Sequence, residues 1–151
     1  MSRHRRISVV VLLSILAPMG CASARSGPKF ADAKLPPLAP DKARIIFYRY
    51  GGEADGADTY GSGKLSVDGQ SVGELNYREF LIVDRPPGPR KVSCKGFYHS
   101  YNHTMELAAG ETYYIKISGN RFLDGMWGNP ETQAAALPDL SNCVFVGKGP
   151  G

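Results

Sequence analysis

Short runs of alternating apolar and polar residues, turn signals at regular spacing and the lack of any long helical period predict an all-β chain. The expected architecture is a small antiparallel β-sandwich of about seven strands with one short C-terminal helix. The stretch Lys64-Leu-Ser-Val-Asp-Gly-Gln-Ser-Val-Gly73 carries the prediction. Asp-Gly between two alternating runs marks a hairpin, because a type I′ turn needs positive φ at both central positions. A two-residue loop at Asp68-Gly69 sets Val67 opposite Gln70 and Leu65 opposite Val72. That register places Leu65, Val67 and Val72 on one face and Ser66 and Ser71 on the other.

The chain begins with a leader. Arg3, His4, Arg5 and Arg6 precede an apolar run from Ile7 to Ala17, too short to span a membrane and suited to a signal peptide over residues 1–20. Two processing sites compete. Met19-Gly20-Cys21 resembles the end of a bacterial lipobox, in which Cys21 receives lipid, although Pro18 stands where such boxes carry Leu. Ala22-Ser23-Ala24 is an A-x-A site that would release a soluble periplasmic or secreted protein without Cys21. The lipoprotein reading is adopted, because a bystander cysteine directly after Gly20 is unexpected. It implies membrane attachment through the lipid and a periplasm-facing position in a bacterial cell envelope, at the outer rather than the inner membrane.

The overall basic balance, 18 Lys and Arg against 14 Asp and Glu, owes three of its arginines to the leader. What remains is close to neutral and lacks clustered Lys and Arg, so nucleic acid is excluded as a partner. Residues 21–41 contain Ser, Gly, Ala and Gly27-Pro28 and Pro36-Pro37, with no sustained apolar period. They are expected to form a flexible-to-extended tether, with packing of an arm through Leu35 and Leu38 as the alternative.

The folded domain is placed at residues 42–147, with 148–151 as a tail, and such a length buries roughly two-thirds of its chain surface. Ala43–Tyr50 has β-branched and aromatic residues on both faces, the pattern of a central strand. Gly51–Gly63 is a loop; its Glu53, Asp55 and Asp58 do not match a calcium-loop spacing. After the hairpin the alternation fails at Glu74–Tyr77, where a bulge or break is expected. Phe80–Val83 is a second buried strand, ended by Pro86-Pro87-Gly88-Pro89. In Arg90–Lys95, Val92 and Cys94 face the core. Tyr101, His103, Met105 and Leu107 form the inward face of the next strand, which a tight turn at Ala108–Glu111 returns into Thr112–Ser118. Gly119–Pro130 is expected to be a loop, and Pro130–Leu137 a helix capped by Asn129 and stopped by Pro138. Cys143–Val146 closes the sandwich.

Cys94 and Cys143 are an even pair in an exported chain, so a disulfide is expected in preference to two buried thiols. Closing a loop of about 50 residues would stabilise the fold by roughly 4 kcal/mol.

Leu65–Gly73, Pro87-Gly88 before Lys91-Val92-Ser93, Gly96-Phe97-Tyr98 and Gly110–Ile115 resemble PEGA-type surface modules, which share the order VDGxxVG, PPG-x-H-x-V, GY and aGetyyv. With the lipobox-like start, the chain resembles a bacterial lipoprotein family of unknown function. The resemblance implies a transthyretin-like sandwich in the envelope and no catalytic residues. Arg90 departs from it, standing where His or Tyr is common, and the chain beyond Gly119 lies outside it.

No nucleophile elbow, metalloprotease helix or phosphate loop occurs, and no cofactor is expected. His99 and His103 share a strand face without a third ligand beside them. Glu53, Asp55 and Asp58 are the only candidate acids for a small hydrolase, and a Gly/Ala loop holds carboxylates poorly. The chain is therefore read as a non-catalytic binding or assembly module with an envelope protein as partner; a glycan or peptidoglycan contact is the alternative. Eight Tyr, six Phe and one Trp make aromatic residues the candidate contacts. Phe122, Met126, Trp127, Tyr98 and Tyr101 are singled out as binding residues; closing the ends of the sandwich is the competing role for the same rings.

Overall fold

The computed structural model describes residues 27–50, 62–96, 100–120 and 125–149, with the backbone alone at 119, 120 and 125–127. Its strands are β1 (Ala43–Arg49), β2 (Gly63–Val67), β3 (Gln70–Leu75), β4 (Glu79–Arg85), β5 (Gly88–Lys95), β6 (Ser100–Leu107), β7 (Thr112–Asn120), β8 (Gly125–Glu131) and β9 (Val144–Lys148). The helix α1 (Gln133–Leu140) lies between β8 and β9. They form a five-stranded sheet in the order β8-β7-β1-β4-β9 and a four-stranded sheet in the order β3-β2-β5-β6. The all-β sandwich with a short C-terminal helix is thus present, with nine strands. The larger sheet is mixed rather than antiparallel, since β1 pairs with β7 and β4 with β9 in parallel.

The Asp68-Gly69 turn has φ of 51° and 79°, as a type I′ turn requires. Val67 pairs with Gln70 and Ser66 with Ser71, but Leu65 pairs with Gly73. Val72 is therefore an extra residue in β3, and the expected Leu65–Val72 pairing is corrected. The bulge occurs here, before Glu74; at Asn76–Arg78 the strand breaks, with Arg78 at φ 60°.

β1 and β4 are buried on both faces, and this makes the molecule three-layered. On the inner face Ile45, Phe47, Leu81, Val83, Ile115 and Ile117 pack against Leu65, Val67, Val92 and Leu107 of the smaller sheet. On the outer face Ile46, Tyr48, Phe80 and Ile82 pack beneath Ala136 and Leu140 of α1 and beneath Phe30, Ala33 and Leu35 of the N-terminal arm. Over residues 27–35, then, the segment expected to be a tether is packed through Phe30, Ala33 and Leu35, whereas most of residues 36–41 are exposed. Phe30 meets Phe80 edge-on at 5.3 Å, and its N–H donates to the Cys143 carbonyl. The domain extends past its expected C-terminal boundary too, because β9 includes Lys148 and the Gly149 N–H donates to the Ile82 carbonyl.

The three-layer plan overturns the disulfide. Cys94 and Cys143 are free thiols. Cys94 belongs to the core between the sheets, and Cys143 to the core under α1. Both face inward, but on opposite sides of the five-stranded sheet, which separates them by more than a disulfide can bridge. Burial pushes the Cys94 thiol up to about 11 and the Cys143 thiol up to about 12.

Three local expectations also change. Ala108–Glu111 does not fold the chain back as a hairpin but carries it from the smaller sheet to the larger, where β7 lies beside β1. Gly119–Pro130 is not all loop, since β8 runs antiparallel to β7. A glycine suits this strand at position 128, where a Cβ would approach Ile115 Cγ2 to 3.0 Å. Because Asn129–Glu131 are used in β8, the helix starts later. Thr132 caps it by accepting from the Ala135 N–H at 3.3 Å, and Pro138 lies within it rather than after it. Among the described residues no helix is long and apolar enough to cross a membrane.

Candidate functional site

The sandwich has edge strands β3 and β9 on one side and β6 and β8 on the other. On the first side a groove of about 480 Å³ opens between the sheets, lined by Ser71–Glu74 of β3, Val146–Lys148 of β9, Gly149, Lys64 and Leu81. That volume lies within the range of small-ligand sites.

Both walls are built by the same device. In β3 the unpartnered residue is Val72, followed by Gly73 at φ 143°. In β9, Phe145 pairs with Phe80 and Gly147 with Leu81. Val146 is therefore unpartnered, and Gly147 follows at φ 149°. Each edge strand thus carries a Val-Gly bulge and then a charged residue, Glu74 or Lys148. Bulges end regular pairing and bend the strand, so neither edge offers a flat row of amides to a neighbouring chain. The valines turn inward with Leu81 as an apolar floor. The glycines leave backbone bare: a Cβ on Gly73 would reach 2.7 Å from Leu81 Cδ2, and one on Gly147 would enter open space. Gly149 closes the seam, where a Cβ would come within 2.7 Å of the Val72 carbonyl oxygen.

One residue of the groove lining, Lys148, also belongs to an ion-pair group of the larger sheet. Lys148 Nζ lies 2.7 Å from Asp84 Oδ2, and Asp84 is also held by Arg44 through Nε at 2.8 Å and Nη2 at 3.0 Å. Burial favours the neutral Asp84 carboxyl, but these hydrogen bonds outweigh it and hold the group below the usual carboxylate range. Arg44 and Asp84 stand on the same side of the larger sheet as Ile46 and Ile82, so this ion-pair group lies on its outer face, beside the groove rather than in its lining. Lys64 and Glu74 face one another across β2 and β3.

The outer core holds a second polar group, partly buried at its margin. The Tyr48 hydroxyl donates to Glu131, and Lys116 Nζ meets Asp139 Oδ2 at 2.5 Å. Burial, followed by the bond to Glu131, raises the Tyr48 hydroxyl far above its ordinary value. These pairs fasten α1 and β8 to the sheet. Among the described residues no cluster of His, Cys, Asp and Glu could hold a metal ion.

Of the aromatic and Met residues singled out from sequence, Tyr101 is the one whose side chain is described. Tyr101 is half-buried on β6, its ring stacked with His103 at 6.1 Å and 18°. It lies against β8 at Gly128, where a Cβ would be 3.4 Å from Tyr101 Cε1. Met126 and Trp127 pair with Gly119 and Ser118 in β8, so these two positions belong to opposite faces of the sheet and not to one loop surface. Tyr98, His99 and Phe122 lie outside the described residues, as do Cys21 and the loop of Glu53, Asp55 and Asp58. The groove was not among the sequence expectations. Its signal there is the repeated step of Val-Gly followed by a charge, at Val72–Glu74 and Val146–Lys148.

No family model, no curated protein and no solved structure matches this chain.

Proposed function

We propose that the chain is a non-catalytic binding or assembly module of a bacterial cell envelope, tethered by lipid on Cys21 and engaging another envelope component through the groove between β3 and β9. The observation that carries this reading is the pair of Val-Gly bulges. Two edge strands are bent at facing positions, and the result is a concave site with an apolar floor, bared backbone and a charged rim. A sandwich needing only protected edges could use charge or proline on either strand separately. The leader and Gly20-Cys21 support the envelope location, and the resemblance to PEGA-type modules points to the same place.

A photo-crosslinking residue placed at Glu74, on the groove wall, tests the reading in intact cells. Leu137, exposed on α1, serves as the control position. A discrete protein adduct from position 74 that disappears when Ser71→Trp fills the groove mouth is expected. Equal adducts from positions 74 and 137, or adducts unaffected by Ser71→Trp, would refute the groove.

A further inference from the structure

Three of the edge strands carry a device against pairing with another chain. β3 and β9 are bulged, and the Phe145 N–H of β9 already donates to the Pro28 carbonyl of the arm. β8 contains Gly125, Gly128 and Pro130, the last without an N–H. β6 has none of these. Its sequence, Ser100-Tyr-Asn-His-Thr-Met-Glu-Leu107, holds no proline, glycine or lysine, and its one acid, Glu106, stands near an end. Its eight residues keep an unbroken register with β5. It ends the smaller sheet, and β8 packs against β6 and β5 without joining that sheet.

The backbone groups that face the open edge follow from the other side of β5. The Asp68 N–H donates to the Lys91 carbonyl, so Lys91 directs its backbone toward β2, and Arg90, Val92 and Cys94 direct theirs toward β6. Their partners Met105, His103 and Tyr101 answer those bonds. The N–H and C=O groups of Ser100, Asn102, Thr104 and Glu106 therefore point out of the sheet edge, and among the described residues no backbone group pairs with them. These four residues are exposed. Tyr101, His103 and Met105 face the core yet stay only half-buried, as expected on a strand with no neighbour on one side. The strand also reads alike in both directions from His103. Positions 102 and 104 are polar, 101 and 105 are apolar, and 100 and 106 are polar again.

We infer that β6 pairs antiparallel with β6 of a second copy of this chain, about a two-fold axis at His103, joining the two smaller sheets into one. In that register Asn102 lies opposite Thr104 of the other copy and Ser100 opposite Glu106, so the outward amides meet in hydrogen-bonded pairs. Tyr101 lies opposite Met105 on the core side, where sulfur and ring cover each other's exposed flank. No like charges are opposed. Shifting the pairing by one residue would set core-facing side chains beside solvent-facing ones. A foreign peptide strand would use the same amides, but it would not account for the mirrored pattern about His103. Pairing consumes the unguarded edge of each copy, and the other edges are guarded, so assembly stops at two. Two paired strands bury less area than a permanent dimer needs, which makes the association reversible and concentration-dependent. The edge lies on the opposite side of the sandwich from the groove and does not depend on its role.

Single cysteines introduced into the full chain, held in detergent with a mild oxidant and run on a non-reducing gel, test the pairing. His103→Cys is expected to give a disulfide-linked dimer, because opposed residues of a non-hydrogen-bonded pair have Cα atoms about 4.5 Å apart. Asn102→Cys alone gives none, since its symmetry mate lies about 8 Å away. Mixed with Thr104→Cys it gives one, at about 5.5 Å. The parent chain, with Cys94 and Cys143 buried, stays monomeric on the gel. Thr104→Pro removes an N–H that β5 does not use. It lowers the cross-linked fraction at position 103 about tenfold and leaves the melting temperature nearly unchanged. If that variant does not fold, Asn102→Glu combined with Thr104→Glu serves, setting Glu opposite Glu in the dimer at exposed positions. Four results would overturn the assignment: no dimer from either His103→Cys or the 102 and 104 mixture; equal yields from position 102 alone and position 103; a yield at position 103 that both the proline and the glutamate variants leave unchanged; or, in intact cells, an adduct of His103→Cys with a different protein and no dimer, which would give the edge to a foreign strand.

Discussion

Removing the Asp84 carboxylate should be among the most damaging single changes to this fold. Arg44 and Asp84 are cross-strand partners in β1 and β4, and their side chains are only 7% and 10% exposed. Asp84→Ala deletes both acceptors of the Arg44 guanidinium at once. Lys148, at 42% exposure, can turn its ammonium to water, but Arg44 is too enclosed to do so. Breaking a buried ion pair from one side costs about 3–5 kcal/mol, since the remaining charge stays desolvated. For a domain of this size that corresponds to a loss of order 10–20 °C in melting temperature. Thermal unfolding followed by circular dichroism reads it directly. Arg44→Met combined with Asp84→Leu should recover much of the loss, because no buried charge is then left alone. The pH dependence follows in sign. With its folded pKa depressed, Asp84 contributes stability that is present above the unfolded value of about 3.9 and is lost as pH falls through the folded value. Urea midpoints of the native chain should therefore decline toward acid more steeply than those of Asp84→Ala. A loss below about 1 kcal/mol in Asp84→Ala, the range of an exposed pair, would refute the reasoning, as would a double variant no better than the single one.

Gly147→Ala adds a Cβ in open space, so only backbone strain at φ 149° opposes it, of order 1–3 kcal/mol. Gly73→Ala adds the clash with Leu81 to similar strain and should show the lower urea midpoint of the two. Cys94 and Cys143 should react with a thiol reagent only after unfolding, and reductant should leave the melting temperature unchanged. Their folded pKa values near 11 and 12 lie above the unfolded thiol value. The stability they contribute is thus present below about pH 8.5 and is lost as pH rises through those values. Replacing both by Ala should flatten that alkaline decline. Mass spectrometry of the mature N-terminus should find diacylglycerol on Cys21; an unmodified chain beginning at Arg25 would show that Ala22-Ser23-Ala24 is the site used.

Local order was legible in the residues themselves. Asp68-Gly69 dictates its turn because both positions need positive φ, and the alternation of β5 and β6 sorts Val92, Cys94 and Leu107 from Lys91, Ser93 and Glu106 without reference to anything distant. The apolar character of β1 and β4 on both faces likewise announced central strands. The same pattern does not say what covers each face. That depended on α1 and the arm reaching the outer side of the larger sheet, and with them went the fate of Cys143, inward-facing yet on the wrong side of a sheet from Cys94. Ala108–Glu111 turns the chain equally well within a sheet or between sheets, so only the packing of β7 beside β1 decided which. The same holds for Gly119–Pro130. Glycines that weaken an isolated strand are accommodated where Ile115 and Tyr101 press against Gly128. The groove lay furthest from the sequence, because a Val-Gly step becomes a bulge only against a partner strand, and two such steps become a site only when both strands end their sheets on the same side.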